Sequence, residues 1–391
     1  MPDVVVIGCG ISGAATAWEL AKSGCSVTLV DRYGPAAMAS GWTLAGVRQS
    51  GRHPAELPLA MAAVKIWEGL DEELQASTGY TQKGNLRIGL ALEDLPALRV
   101  IAEEGKAAGL PIEVLADAQS VRDIAPALSP AIAGATWCPT DGHADPDATV
   151  NAFINAARRL GVETVYGEAV LSLESRNGRI CGVRTTSRTI AADAVVLATG
   201  VSGNDLLAPF GSPLPVDVKN VTVVRTRPLP PLLSQVLSVA SACNSDAACA
   251  GRQQLDGAFR FTSGIKSWGG LMREKDGRPV IAPTVASLLE TLQSFGDVVP
   301  AVREAEIDAY WCGLVDQTPD ALPVLDHIPG VNGLVIARGF SGHGFCLGPL
   351  TGRIMAALVQ GQAPPFDISA FAFSRFSDLS SPSSSPVTLH G

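Results

Sequence analysis

The chain has 391 residues, of which 47% are hydrophobic and only 17% are charged, so it can build a core in about two or three domains. Its formal net charge is −9 and it has no basic stripe, which argues against a nucleic-acid partner. No apolar run approaches the roughly 20 residues of a membrane helix, and the first residues lack the basic start of a signal peptide. We therefore expect a cytoplasmic protein without a transmembrane segment.

The first predicted element is a strand over residues 4–7, which is apolar throughout, as in a strand covered on both faces. The glycines of a G-x-G-x-x-G motif follow: Gly8, Gly10 and Gly13. A helix starts near Ile11, and its free N–H groups and dipole favour a bound pyrophosphate. The next strand, SVTLVD, ends at Asp31, whose carboxylate would accept hydrogen bonds from ribose hydroxyls. The stretch predicts a dinucleotide site.

Helices and strands are predicted in alternation along the rest of the chain. The predicted helices are 60–69, 93–108, 145–161, 285–295 and GPLTGRIMAALVQG. The predicted strands are 84–90, the two sides of the turn at Asn177-Gly178, the strand ending at Thr199-Gly200, VKNVTVVRTRPLP, FRFTSGIKSWGGLM and 333–339. Residues 229–258 carry no clear signal, and the Ser/Pro-rich tail 377–391 is predicted to be disordered.

A nucleotide-binding domain whose last elements lie near the C-terminus must be interrupted by insertions. We predict an α/β plus α+β fold. In it, a Rossmann-like dinucleotide domain of the glutathione-reductase type is interrupted by a substrate domain with a mixed or antiparallel sheet. The predicted boundaries give the dinucleotide domain residues 1–82, 139–212 and 310–376, and the substrate domain residues 83–138 and 213–309.

The eight cysteines are scattered, with no C-x-x-C pair and no histidine at zinc spacing. This pattern predicts reduced thiols and no metal site. A disulfide between Cys243 and Cys249 is left open as an alternative.

Four segments, in this order and spacing, resemble the D-amino-acid oxidase and sarcosine oxidase family: VVVIGCGISGAATAWELAKSG, AADAVVLATG, TPDALPVLD and IARGFSGHGF. The resemblance extends over nearly the whole chain except 229–258 and the tail. Residues 45–60, AGVRQSGRHPAELPLA, are most similar to the opine-oxidase and sarcosine-oxidase-like branch. The resemblance implies a flavoprotein that oxidises amines of amino acids.

FAD is therefore the expected dinucleotide, because several distant segments would surround one molecule that stays bound. The residues expected at the pyrophosphate are Gly8, Cys9, Gly10, Ile11, Ser12 and Gly13, with Asp31 and Arg32 at the adenosine. By resemblance, Ser40 and Gly41 are expected near the phosphates and ribitol, and Ala45, Gly46 and Val47 beside the flavin ring. Val170 is expected at the adenine, and Ala198, Thr199 and Gly200 over the first βαβ unit. The residues expected at the pyrimidine end are Gly342, His343, Gly344 and Phe345.

The resemblance also implies that the FAD is held without a covalent bond. Gly313 stands where monomeric sarcosine oxidases attach the flavin to a cysteine. Cys312 is one residue away, and in a strand its side chain would point to the opposite face.

The implied chemistry is hydride transfer from the carbon beside the nitrogen to flavin N5, giving an imine that water hydrolyses. Arg48 matches a substrate-binding arginine of the sarcosine oxidases, and its planar fork suits a carboxylate. The alternative is a structural ion pair for Arg48, with the anchor at Arg52, Lys266 or Arg338.

Five further side chains are candidates for the site. Lys266 matches the lysine that those oxidases place over the flavin to activate oxygen, although an exposed strand lysine is the alternative. His343 is a candidate catalytic residue or flavin neighbour, and Trp42, like Trp311, is a candidate pocket wall. Cys346 stands where those oxidases have a second carboxylate-binding lysine, which argues against sarcosine itself.

Two electron acceptors stay open. The enzyme is either an oxidase that uses O2, or the flavoprotein subunit of a heteromeric opine or imino-acid dehydrogenase that passes electrons to a partner subunit or a quinone. In both cases the substrate is a small amine or amino acid.

Overall fold

The computed structural model describes residues 3–239 and 248–376. In chain order its strands are β1 (Asp3–Ile7), β2 (Ser26–Asp31), β3 (Gly46–Val47), β4 (Asn85–Gly89), β5 (Glu113–Leu115), β6 (Gly134–Cys138), β7 (Gly142–His143), β8 (Glu163–Tyr166), β9 (Val170–Arg176), β10 (Arg179–Thr185), β11 (Thr189–Ala191), β12 (Ala194–Leu197), β13 (Asp217–Pro228), β14 (Val236–Val239), β15 (Cys249–Gln253), β16 (Ala258–Ser263), β17 (Lys266–Ser267), β18 (Arg273–Lys275), β19 (Arg278–Val280), β20 (Ile307–Gln317), β21 (Val324–His327) and β22 (Leu334–Arg338). Its helices are α1 (Ile11–Lys22), α2 (Ala39–Trp42), α3 (Leu57–Trp67), α4 (Leu70–Leu74), α5 (Leu95–Ala107), α6 (Ala118–Ile124), α7 (Pro146–Arg159), α8 (Asn204–Leu207), α9 (Val285–Val298) and α10 (Gly344–Val359).

The first sheet contains the dinucleotide motif and has the strand order β21-β22-β12-β1-β2-β8. Its neighbours pair in parallel except β21 with β22. One face is covered by α1, α7 and α10, whose apolar side chains form a single core with those of α3. The other face packs against the antiparallel sheet β9-β10-β11. This is the predicted Rossmann-like unit.

The second sheet has nine strands in mixed directions, in the order β17-β13-β16-β15-β14-β4-β6-β5, with β20 paired to β13. Helix α9 covers one face, where Phe295 stacks on Phe261 at a centroid distance of 4.5 Å. The predicted fold class is confirmed. Strand β20 belongs to this sheet, although the predicted domain boundary assigned residues from 310 onward to the other domain.

Most predicted elements are present with shifted ends. The predicted helix 93–108 is α5, 145–161 is α7, and 285–295 is α9, which continues to Val298. The Asn177-Gly178 turn joins β9 to β10, with both residues at positive φ, as a two-residue hairpin requires. Residues 229–258, which had no clear signal, contain β14 and β15. The proposed Cys243–Cys249 disulfide and the tail 377–391 lie outside the described residues.

None of the helices in the described ranges combines the length and the apolar composition needed to cross a membrane. Within the same ranges, no group of histidine, cysteine and carboxylate side chains is arranged to hold a metal ion.

Helix α10 packs against α1 through two glycines. A Cβ at Gly352 would lie 2.7 Å from the backbone carbon of Ala15, and one at Gly348 would lie 2.6 Å from a side-chain carbon of Ile11. The contacts at Gly348 are with side-chain atoms of Ile11, whereas those at Gly352 include the Ala15 backbone, which is fixed in α1. The close approach of the two helices therefore depends mainly on Gly352.

We predict that Gly352→Ala destabilises the protein by about 1–3 kcal/mol because of overpacking. The direction of the change in stability is informative, because replacing glycine by alanine inside a helix otherwise stabilises the helix by roughly 1 kcal/mol. Thermal unfolding measures the effect. Gly269→Ala is the control, because a Cβ at Gly269 meets nothing within 4 Å. A Gly352→Ala protein at least as stable as wild type would contradict the close packing.

Candidate active site

A cavity of about 650 Å³ lies between the carboxyl ends of the parallel strands of the first sheet and the face of the second sheet opposite α9. Ligands of open α/β sheets bind at these strand ends. Sixteen of the predicted cofactor residues line it: Gly8, Gly10, Ile11, Ser12, Asp31, Arg32, Ser40, Gly46, Val170, Ala198, Thr199, Gly200, Gly313, Gly342, Gly344 and Phe345. The cavity thus joins segments that are hundreds of residues apart in the chain.

The β1–α1 turn forms one end of the cavity. Gly8 has φ +109°, and a Cβ there would overlap the Ala198 carbonyl, whereas one at Gly13 would overlap the Gly8 carbonyl. Gly10 is the N-cap of α1, and the Ser40 hydroxyl accepts the Ile11 N–H at 2.9 Å. The other N–H groups of the first helical turn have no partner within the helix, so they can face an anion.

Asp31 is fixed at the end of β2 by three backbone donors. One carboxylate oxygen accepts the Cys9 N–H at 2.8 Å, and the other accepts those of Tyr33 and Gly34 at 2.7 and 2.8 Å. Asp31 lines the cavity together with Arg32 and Glu168. Its carboxylate therefore shapes the turn as well as offering acceptors to a ribose.

Five predicted cofactor residues other than His343 do not line the cavity: Cys9, Gly13, Gly41, Ala45 and Val47. The Cys9 thiol points toward the Tyr166 hydroxyl, 3.9 Å away, and burial raises its pKa to about 12. Gly41 is required for packing, because a Cβ there would overlap the Ala36 carbonyl. Ala45 is fully buried with φ +56°. These residues shape the backbone around the cavity rather than its surface.

The other end of the cavity is bordered by Gly46, Trp42 and Gly313. Cys312 does not line it, and its sulfur lies 3.9 Å from the Thr222 hydroxyl, as strand alternation predicts. No cysteine occurs among the cavity-lining residues in the described part of the chain. A covalent thioether to a ligand in this cavity therefore has no thiol to use.

Buried charged side chains form the wall beside this end. We call them the charge cluster: Arg48, Arg52, Arg87, Asp141, Glu56 and His343. Arg48 and Arg52 line the cavity, and Arg52 donates from Nε to the Arg48 carbonyl at 3.2 Å. Arg52 Nη1 is buried without a hydrogen-bond partner among the described residues. An anion in the cavity would supply this missing acceptor.

Asp141 is the carboxylate beneath the arginines of the cluster. It accepts the Gln49 N–H at 2.8 Å and is hydrogen-bonded to the Ser50 hydroxyl. Burial raises the pKa of Asp141, whereas these donors and the arginines stabilise its charged form. Burial lowers the pKa of Arg48 to about 9 and that of Arg87 to about 10, so both remain protonated at neutral pH.

Glu56 and His343 form a buried pair across 287 residues of sequence, with His343 Nδ1 2.9 Å from the Glu56 carboxylate. Burial and the nearby Arg52 lower the pKa of His343, while the imidazole lowers that of Glu56. A neutral imidazole that donates from Nδ1 leaves Nε2 as an acceptor, and Nε2 has no partner among the described residues. His343 does not line the cavity, but its neighbours Gly342 and Gly344 do.

The structure does not bring Lys266 to the cavity. Its ammonium group is half-exposed and paired with Glu290 on α9. Because α9 covers the opposite face of the second sheet, the predicted contact between Lys266 and the flavin is not supported. The sequence could not predict the position of Lys266, because the face of the sheet to which its side chain points depends on how β17 pairs with β13.

Four other predicted side chains lie around the cavity in different ways. Trp42 lines it, and Trp311 donates from Nε1 to the Trp42 carbonyl at 3.3 Å. Cys346 is buried beside the cluster, where its thiol donates to the Arg48 carbonyl at 3.4 Å. Arg338 lies behind the lining and donates to the Gly200 carbonyl and to Asn204. Cys346 and Arg338 thus hold the backbone of the site.

Sequence reasoning missed three acidic residues of the site, one of which is Asp141 beneath the arginines. Glu56 pairs with a histidine near the other end of the chain, and Asp316 lines the cavity while accepting the Gly339 N–H at 2.7 Å. The signal that could have indicated Glu56 is that its carboxylate stands alone in the otherwise apolar stretch 54–64. Arg52 had been considered only as an alternative anchor.

The arrangement fits FAD. One end offers a glycine turn, a helix N-terminus and an aspartate to a nucleotide, and the other offers glycines around an open space beside Trp42 and Phe345. An anion at that second end would give the orphaned Arg52 Nη1 an acceptor. A dinucleotide with a carboxylate-bearing molecule beside its ring fits both ends.

Comparison with known proteins gives the same assignment. The model of the family described as FAD dependent oxidoreductase (DAO) matches residues 3–358. Glycine oxidase of Geobacillus kaustophilus is 30% identical over 383 residues, which cover 95% of this chain and 97% of that protein. The crystal structure of glycine oxidase from this species superposes with a TM-score of 0.86 at 26% identity, covering 96% of this chain and 98% of the other.

Two other similar proteins carry different names. The crystal structure of L-proline dehydrogenase from P. horikoshii has a TM-score of 0.83 at 28% identity and covers 96% of this chain and 97% of its own. Sarcosine oxidase subunit beta of Arthrobacter sp. is 26% identical over 392 residues, covering 96% of this chain and 91% of that protein.

The Glu56–His343 pair gives a pH prediction. Because the folded pKa of His343 lies below its unfolded value of about 6.5, the unfolded state binds more protons below that pH. Stability should therefore fall by up to roughly 1.4 kcal/mol per pH unit as the pH drops from 6.5 toward the folded pKa. Glu56 also has a lowered pKa, but its contribution is lost only below its unfolded pKa of about 4.3.

Urea unfolding at pH 7 and pH 5 tests this. His343→Asn keeps an N–H donor for Glu56 but does not titrate, so its stability should depend less on pH. His327→Asn, at an exposed position, is the control. Equal pH dependence in wild type and His343→Asn would show that His343 is not held neutral.

Proposed function

We propose, because the chain belongs to the DAO family of FAD-dependent oxidoreductases, that it oxidises the C–N bond of an amino acid or an N-substituted amino acid. The observation that carries the proposal is the pair of buried arginines, Arg48 and Arg52, in the wall of the FAD cavity. A carboxylate held there would place the adjacent C–N carbon inside the cavity. The relatives named glycine oxidase and L-proline dehydrogenase support this class of substrate.

FAD, when bound, supplies the acceptor for the hydride that leaves the substrate carbon. The chain's own residues then need only to bind and orient. No lysine or histidine occurs among the cavity-lining residues of the described ranges, and the Asp316 carboxylate already accepts the Gly339 N–H, so we propose that the amine reacts in its neutral form without a general base. Trp42 and Phe345 would limit water beside the reacting carbon. The imine product leaves the site or reacts with water.

A second candidate differs in the electron acceptor. The similarity to sarcosine oxidase subunit beta favours a chain that works with partner subunits and passes electrons to one of them or to a quinone. Oxygen consumption distinguishes the two. An oxidase produces hydrogen peroxide in proportion to substrate, whereas a dehydrogenase turns over only when an artificial acceptor is added.

We predict that acid precipitation of the purified yellow protein releases all of its flavin. The expectation follows from glycine at position 313 and from the lack of cysteine in the described lining. Absorbance of the supernatant and of the washed pellet measures the two fractions. Flavin that stays on the denatured pellet would show a covalent bond.

We further predict that Arg48→Ala raises the substrate concentration for half-maximal flavin reduction by about 30- to 1000-fold. This corresponds to the loss of a charge-assisted bidentate pair worth roughly 2–4 kcal/mol. Arg48→Lys should recover only part, because an ammonium group cannot form the planar fork. FAD affinity should change far less. The measurement is the anaerobic reduction rate against substrate concentration, and overlaid curves would make Arg48 structural.

A further inference from the structure

A second cavity, of about 530 Å³, lies beside the FAD cavity on the same face of the second sheet. On β13, Val223 lines the FAD cavity and Arg225 lines the second one, and on β16 the same holds for Thr262 and Arg260. Alternate residues of a strand point to the same face, so the two cavities are neighbours above one sheet. The volume of the second cavity is in the range of pockets that bind small molecules.

The C-terminal end of α2 forms the wall between the two cavities. Trp42 lines both of them, and Gly41 lines the second. Arg260 donates from Nη2 to the Gly41 carbonyl at 2.5 Å, and Trp311 donates from Nε1 to the Trp42 carbonyl at 3.3 Å. Because these two contacts hold the wall to the sheet, a molecule in the second cavity would be separated from the FAD cavity.

Several charged groups of the second cavity already have partners. Arg225 donates from Nη2 to Asp256 at 2.6 Å and is also paired with Asp308. Asp145 is the N-cap of α7, where its carboxylate accepts the Ala148 N–H at 2.7 Å. These groups stabilise the walls of the cavity and do not require a ligand.

Two opposite charges in the lining lack such partners. Arg260 is buried with its guanidinium 4.7 Å from the centre of the Trp311 ring, and its Nε has no hydrogen-bond partner among the described residues. Asp147 lies in the first turn of α7, and its carboxylate accepts no hydrogen bond within the described part of the chain. Burial and Asp145 raise the pKa of Asp147, whereas Arg260 and Arg278 lower it.

These two groups together favour a ligand that carries both charges. A simple anion could serve Arg260, but it would also face the carboxylates of Asp145, Asp147 and Asp256. A simple cation would leave the buried Arg260 Nε without an acceptor, which is unfavourable. A zwitterion supplies an acceptor to Arg260 and a donor to Asp147 without changing the total charge of the cavity.

We propose that the second cavity binds a free amino acid in its zwitterionic form. The carboxylate of the ligand accepts from Arg260, and its ammonium group contacts Asp147. Its hydrocarbon part lies against Trp42, Val280 and Ile281, which form an apolar part of the lining. The site is outside the FAD cavity, so the ligand is not oxidised there, and the proposal does not depend on which amine the enzyme oxidises.

The test uses a zwitterion that cannot donate a hydride. 2-Aminoisobutanoate has no hydrogen on the carbon between its ammonium and carboxylate groups. Two analogues of the same shape replace one charged group by methyl: 2,2-dimethylpropanoate lacks the ammonium group, and tert-butylammonium lacks the carboxylate. Equilibrium dialysis of the labelled zwitterion against the holoenzyme, with the analogues as competitors, measures the three affinities.

We expect the zwitterion to bind about tenfold or more tightly than either analogue, because each analogue loses one charge-assisted hydrogen bond. No binding of the zwitterion, or an analogue that binds as tightly, overturns the proposal.

Variants locate the bound probe. Asp147→Asn should weaken its binding about tenfold, because it removes the negative charge that contacts the ammonium group. Asp276→Asn is the control, since it removes one charge from an exposed turn where asparagine tolerates the φ of +53°. Thermal unfolding verifies that both variants fold. Equal binding in the two variants would overturn the proposal.

The same dialysis with Arg48→Ala holoenzyme separates the two cavities. Binding in the second cavity should persist in Arg48→Ala and should still be weakened about tenfold when Asp147→Asn is added. Loss of all probe binding in Arg48→Ala, with none lost in Asp147→Asn, would place the probe in the FAD cavity. That result would overturn the second site and leave the proposed function intact.

Discussion

The close contact between the first turn and its neighbours is the constraint on which the rest of the molecule depends. A Cβ at Gly8 would overlap the Ala198 carbonyl just after β12, and a Cβ at Gly13 would overlap the Gly8 carbonyl, so α1 starts directly on the sheet. Gly352 brings α10 equally close to Ala15 on the outer side. Helix α1 is therefore fixed on two sides, and the N–H groups of its first turn are held at the cavity without a side chain to shield them.

Strand alternation in the second sheet organises the other half of the site. One face carries the phenylalanines that pack on α9, and the other carries arginines. Arg252 donates to the Leu44 and Ala144 carbonyls, and Arg260 donates to the Gly41 carbonyl at 2.5 Å. These arginines hold the segment between α2 and β3, which runs beside the cavity. Backbone acceptors offset part of the cost of burying these arginines, although Arg260 Nε has no partner among the described residues.

The parts of the fold that depend on local spacing could be predicted from the sequence. The glycine turn, Asp31 and the Asn177-Gly178 hairpin are set by residues adjacent in the chain, and all three were recognised. Register between distant strands has no such local signal. This register turns Lys266 toward α9, and it places Val223 and Arg87 in the same cross-strand row of the second sheet. The contact of Glu56 with His343 is equally non-local, and β14 and β15 are formed by pairing with strands from other parts of the chain.

The site holds its charge by groups that do not titrate near neutrality. Arg48 and Arg87 keep their protons below about pH 9, because burial lowers their pKa values only to about 9 and 10. The histidine of the cluster is kept neutral by burial and by Arg52, and no other imidazole occurs in the described lining. The guanidinium charges that attract a carboxylate therefore change little between about pH 7 and 8. If the substrate amine reacts only when neutral, its own deprotonation sets the pH dependence of the reaction in that range, and the protein needs no acid–base residue to follow it.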